Sequence, residues 1–142
     1  MVSSCFRHLS QSQARIPLIP VVRFFRASSE KAWEAALREV REETGLTCGQ
    51  LYSADICEQF YEADRDAISM LPVFVGFVDA GATVVINHEH SEFRWVPFET
   101  ALGMVPFAGQ RHVLKHVQAE FVQRQPVRHL LIYSTRGAMR CS

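Results

Sequence analysis

The sequence predicts an α/β domain in which a sheet is covered by helices. Three observations carry that expectation. Two segments repeat apolar residues at the helical period, around 33–44 and 113–121. The segments between and after them are rich in β-branched and aromatic residues and are cut by turn residues. The chain has 142 residues, is 48% hydrophobic and shows no internal repeat or linker, which suits one domain with a core of its own.

The elements follow in order. Residues 1–15 read as a loose basic tail, and 16–135 as the domain. Ile16 to Phe25 is apolar enough for a strand, but Pro17 and Pro20 restrict it to an edge or an irregular segment. Ser28 or Ser29 can cap a helix that runs to Thr44, with Gly45 as its stop. Its apolar stripe is Trp33, Ala36, Leu37, Val40 and Thr44. Leu51–Tyr61 and Leu71–Val78 read as strands joined by a polar loop, Glu62–Ser69. Asp79 to Ala82 is a turn, and Thr83–Ile86 and Phe93–Val96 are short strands. Pro97–Leu102 fits a short helix. Phe107–Gln123 fits a second long one, with Val113, Leu114, Val117 and Phe121 on its apolar side. Val127–Tyr133 fits a last strand, and 136–142 a small basic tail.

Composition narrows the function classes. Fifteen basic and fifteen acidic residues balance, so there is no strong nucleic-acid signal and no charge case for a membrane surface. No apolar run has the length of a membrane span. Cys5, Cys48, Cys57 and Cys141 form no C-x-x-C pair, which suits a reducing, cytoplasmic compartment. The first 29 residues contain four arginines and no acid, so a mitochondrial targeting segment and a plain tail both fit them. His88-x-His90 and His112-x3-His116 have spacing that zinc can use, but neither has cysteine companions. The sequence sets no oligomeric state.

The segment with the sharpest chemistry is Arg38-Glu39-Val40-Arg41-Glu42-Glu43-Thr44-Gly45-Leu46. At about 100° per residue, Glu39, Glu42 and Glu43 share one flank of a helix, beside its apolar stripe. Like charges at these spacings repel. A hard divalent cation such as Mg²⁺ or Mn²⁺ would turn that repulsion into binding, because it favours clustered oxygen ligands. The bland alternative is a solvated face with the ion pairs Glu34–Arg38 and Arg38–Glu42, each worth about 0.3–0.5 kcal/mol.

These residues resemble the Nudix hydrolase box, G-x5-E-x7-R-E-U-x-E-E-x-G-U, where U is a bulky apolar residue. Glu30, Arg38, Glu39, Val40, Glu42, Glu43, Gly45 and Leu46 all stand in register, and Phe24 replaces the leading glycine. The resemblance implies an α/β/α sandwich with a mixed sheet between helices, and Mg²⁺- or Mn²⁺-dependent cleavage of a phosphoanhydride in a nucleotide substrate. By position, Glu39 and Glu43 would be the main metal ligands. Glu42 would be a further ligand or would orient the attacking water. Arg38 would hold the carboxylates in place, and Glu30 would be a supporting acid on the same helix. His88-Glu89-His90 followed by Trp95 is similar to a stretch in the diadenosine tetraphosphate hydrolase and the dihydroneopterin triphosphate or dATP pyrophosphatase subgroups. It implies Glu89 as a distal ligand or base.

The chain also departs from the family. The glycine-rich entry to the box is replaced by Arg23-Phe24-Phe25-Arg26-Ala27-Ser28-Ser29, and the strands ahead of it look shortened. Glycine admits backbone angles that Phe24 does not. Two expectations therefore stand: a pyrophosphohydrolase, or a catalytically impaired module of the same fold that binds a nucleotide or a protein partner.

Overall fold

A computed structural model of the protein describes residues 29–85 and 95–135 with their side chains, and residues 6–7 and 17–21 by backbone course. Helix α1 spans Ala32–Thr44, a run dominated by the good helix formers Ala, Leu, Glu and Arg. It starts later than Ser28 or Ser29 would set it. Lys31 takes the extended cap position, and the Glu34 carboxylate reaches back to accept its backbone N–H at 2.9 Å. Glu34 thus caps the helix rather than pairing with Arg38. At the other end Gly45 adopts φ 67°, where its N–H closes on the Arg41 carbonyl at 2.9 Å. Ala36, Val40 and Thr44 are buried and Trp33 and Leu37 pack beside them, as the stripe predicts.

The sheet has the order β1-β2-β4-β3-β5, with β1 Phe6–Arg7, β2 Pro17–Val21, β3 Cys48–Glu62, β4 Ala67–Val78 and β5 Leu131–Ser134. All four described ladders are antiparallel, where a mixed sheet was expected. The central pair is a hairpin, and β2 and β5 each run against the hairpin strand they join. Two of the tail residues, Phe6–Arg7, pair with β2, so β2 lies inside the sheet and not at its edge. With two residues β1 covers only Pro17 and Leu18, which leaves the two-proline strand a nearly open side.

The hairpin β3–β4 is longer than the sequence suggests. Half of the polar stretch Glu62–Ser69, residues 62 and 67–69, is strand and not loop, and the turn is residues 63–66 alone. Near its middle the register moves from Ser53↔Phe74 to Cys57↔Pro72, so β3 carries two extra residues, with Asp55 at φ 56°. The Ala54 carbonyl in this bulge accepts a hydrogen bond from His116 Nε2 at 2.7 Å, which occupies one member of the His112/His116 pair.

Alternation along the strands sorts the core into two layers. Cys48, Leu51, Phe74 and Val78 face α1. Tyr52, Ala54, Val73 and Val75 face the other way, against α2 (Phe98–Met104) and α3 (Ala108–Val117). Val113, Leu114 and Val117 of α3 are buried there. Burying each valine side chain fully contributes about 1.5–3 kcal/mol. The chain continues from α3 as a π-turn, Gln118–Val122, which turns Phe121 edge-on to Tyr52 at 6.0 Å. The layers are helix, sheet and helix, as an α/β/α sandwich requires.

Two shorter expectations are corrected. Residues 83–85 form no strand, because the Val85 N–H goes to the Thr44 carbonyl at the end of α1 instead of to a strand neighbour. Of the expected strand Phe93–Val96, residues 93–94 lie outside the described residues, as do 86–92, and Val96 makes an isolated bridge. The last strand begins later than Val127, since Arg128–Leu130 is a 3-10 turn that leads into β5. The short helix after Pro97 is present, with Pro97 at its cap position. Residues 136–142 also lie outside the described residues.

Candidate functional site

The carboxylates of α1 are organised by Arg38. Its Nε and one terminal nitrogen donate to the two oxygens of Glu30, at 3.0 and 3.2 Å. The same terminal nitrogen reaches Glu39 Oε1 at 3.3 Å, and the other donates to Glu42 Oε2 at 2.8 Å. One guanidinium therefore ties together three acids, using the planar fork that arginine provides. The Glu30 bond above all holds Arg38 protonated far beyond its ordinary range; burial opposes it, and the Glu42 bond adds to it.

Glu30 stands ahead of α1, not on it as the resemblance implied. It meets Arg38 two turns along the helix, because Lys31 is the cap and α1 starts at Ala32. Its side chain is 19% exposed and that of Glu39 is 16% exposed, whereas Glu42 is 56% exposed. Glu43 is half-buried, one turn on from Glu39 along the same flank. Four carboxylates thus stand in this patch, three of them bonded to the Arg38 guanidinium. Glu42 and Glu43 also fall in the last turn of α1, where the helix dipole disfavours negative charge. Both effects favour a cation at this flank.

The donor set suits a hard divalent ion. Each carboxylate offers about four acceptor positions, so the bond to Arg38 orients Glu39 and Glu42 without exhausting them. The described residues nevertheless contain no group of three or more His, Cys, Asp or Glu side chains placed to hold a metal together. Glu89 and the carbonyl of Phe24 fall outside the described residues. The two ends of the segment that carries Glu89 are both anchored on the α1 side of the sheet. Val85 is bonded to Thr44, and Trp95 packs against the α1-facing core.

Two grooves flank α1. The first, about 570 Å³, runs along Leu37, Arg41, Leu46, Thr47 and Tyr133 and shares Arg38 and Glu42 with the acid patch. The second, about 450 Å³, lies at the start of the helix between Lys31, Trp33, Ser53 and His129. Neither is lined by Glu39 or Glu43. Tyr133 stacks on Trp33 with ring centres 6.5 Å apart. No local signal in the sequence points to Tyr133, because only the pairing of β5 with β3 brings it to α1. Arg111 of α3 donates to the Val105 and Pro106 carbonyls and so secures the entry to that helix.

A family model described as the NUDIX domain matches residues 26–124. Its match starts after Phe24, at the departure from the box. The chain is similar to bis(5'-nucleosyl)-tetraphosphatase [asymmetrical] of Caenorhabditis elegans, 29% identical over 92 residues, which are 63% of this chain and 66% of that protein. It is also similar to octanoyltransferase of Myxococcus xanthus, 35% identical over 94 residues, 65% of this chain and 26% of that protein. The matches therefore span just under two-thirds of the first relative and about a quarter of the second.

Proposed function

Because this chain belongs to the Nudix family, we propose that it hydrolyses a phosphoanhydride bond in a nucleotide, with Mg²⁺ or Mn²⁺ held by the carboxylates of α1. The substrate is a nucleoside triphosphate, a pterin triphosphate or a dinucleoside polyphosphate. The similarity to a tetraphosphatase supports the last of these. The observation that carries the proposal is the convergence of Glu30, Glu39 and Glu42 on Arg38 within the box register.

In this proposal Glu39 and Glu43 ligate the metal, with Glu42 and Glu89 completing or assisting the set. When bound, the ion neutralises phosphate oxygens and lowers the pKa of a coordinated water. The residues of the chain do the rest. Arg38 fixes the rotamers of Glu39 and Glu42, so the ligands are ordered before substrate arrives. Glu30 holds Arg38 from its far side, as a positioning residue. A carboxylate of the group, Glu42 or Glu89, accepts the proton of the attacking water. The water oxygen bonds to phosphorus, the bridging P–O bond breaks, and the leaving phosphate departs with its electron pair. No covalent enzyme intermediate is required.

The test pairs binding with turnover. Mn²⁺ should raise the melting temperature of the wild type and raise that of Glu43→Gln by much less. Phosphate release from a nucleotide panel, coupled to pyrophosphatase, should fall at least about a hundredfold in Glu43→Gln. Equal rates for the two proteins would remove the catalytic assignment. The alternative is an impaired module that binds without turnover, and Phe24 in place of the box glycine favours it. Metal binding with no turnover on any substrate, restored by Phe24→Gly, would select that alternative.

A further inference from the structure

Beyond Ser53↔Phe74 the hairpin projects as an arm, Cys57–Glu62 paired with Ala67–Pro72. Among the described residues neither edge of this arm is paired, since β2 stops at Phe74 and β5 stops at Tyr52. Its two faces are unlike. Tyr61 lies directly opposite Ile68, and Gln59 opposite Met70, so these four share a face with Cys57 and Pro72. This is the side of the sheet that α1 covers further along, because Ile68, Met70 and Pro72 have the same parity as Phe74. The other face carries Glu58, Phe60, Glu62, Ser69 and Leu71.

Polarity and exposure are inverted on this arm. A solvated hairpin puts its polar residues on the outward face. Here the more exposed face is the uncharged one: Ile68 is 72% exposed, Met70 64% and Tyr61 61%. The acids Glu58 and Glu62 sit on the more covered face, where Ser69 donates a hydrogen bond to Glu62. The outer strand 67–72 bears no charge at all, although charges are the usual guard against edge pairing.

We propose that this face is a self-association surface, on which the arms of two copies of the chain pack face to face and antiparallel about a two-fold axis. The absence of charge favours a second copy, because about a two-fold axis one patch meets the same patch, and a face charged with one sign would repel itself. The area is sufficient. Three large side chains about two-thirds exposed present on the order of 400 Å² per copy. With Cys57, Gln59 and Pro72 included, the two arms together reach roughly the 1,000 Å² that a specific interface requires. The ends are complementary as well. An antiparallel overlap carries the acidic turn of one arm, Asp64 and Asp66, to the base of the other. Lys31 and the N-terminus of α1 stand there, beside Ser53.

Sedimentation velocity on the full chain from about 1 to 100 µM should show a monomer–dimer equilibrium. Ile68→Asp and Met70→Ser, made separately, should each shift it at least about tenfold toward monomer. Phe60→Ser, on the opposite face, should leave it unchanged. Asp64→Lys should weaken the dimer and the added Lys31→Asp should restore it, a pattern that misfolding would not reproduce. A wild type monomeric throughout would overturn the proposal. So would a dimer that survives both Ile68→Asp and Met70→Ser, or one lost equally in Phe60→Ser.

Discussion

Arg38→Met separates the organising role of the guanidinium from the packing of its stem, since methionine keeps much of the apolar contact. The change removes four hydrogen bonds to three acids. Glu30 and Glu39, 19% and 16% exposed, are then left charged and largely covered. A charge-assisted bond to such a carboxylate is worth about 1 kcal/mol after the competition from water is counted. The exposed Glu42 pair adds only about 0.3–0.5 kcal/mol. Arg38 is itself 38% exposed, so solvent screening takes part of the sum. The net loss is about 2 kcal/mol, which for a chain of this size lowers the melting temperature by roughly 6–8 °C. Thermal unfolding followed by circular dichroism at low metal concentration reads this directly. Arg124→Met is the control, because its partner Glu120 forms an exposed i,i+4 pair, and it should cost less than about 0.5 kcal/mol. Equal losses for the two variants would refute the idea that Arg38 gathers the acid patch.

Two further outcomes follow from the ends of α1 and the strand beyond it. Gly45→Ala should cost about 1–2 kcal/mol in urea unfolding, because φ 67° is strained for alanine and the new Cβ would lie 3.4 Å from Val85 Cβ. Burial pushes the Cys48 thiol up to about 11 from an ordinary 9.0. The unfolded chain ionises first, so stability is full below pH 9 and falls between pH 9 and 11, by an amount on the order of 2 kcal/mol. Cys48→Ala should flatten that alkaline decline measured by urea titration. An unchanged slope would show that another group, such as the buried Tyr52 phenol, controls it.

The sequence by itself determined what neighbours along the chain decide. The stripe from Trp33 to Thr44, the stop at Gly45 and the shared flank of Glu39 and Glu43 all follow from helical winding, and the structure has them. The apolar side of α3 is legible for the same reason. Strand period alone separates Leu51 from Tyr52 and Phe74 from Val75 onto opposite faces. Tertiary structure decided what depends on distant partners. Glu30 becomes a ligand of Arg38 because the helix starts at Ala32, a choice made by Glu34 reaching back to Lys31. Tyr133 reaches α1 because β5 pairs with β3 across some eighty residues of sequence. The bulge at Ala54–Ile56 and the inverted arm beyond it depend on register. Register is set by which faces can be buried together, a condition on the whole fold that no local pattern carries.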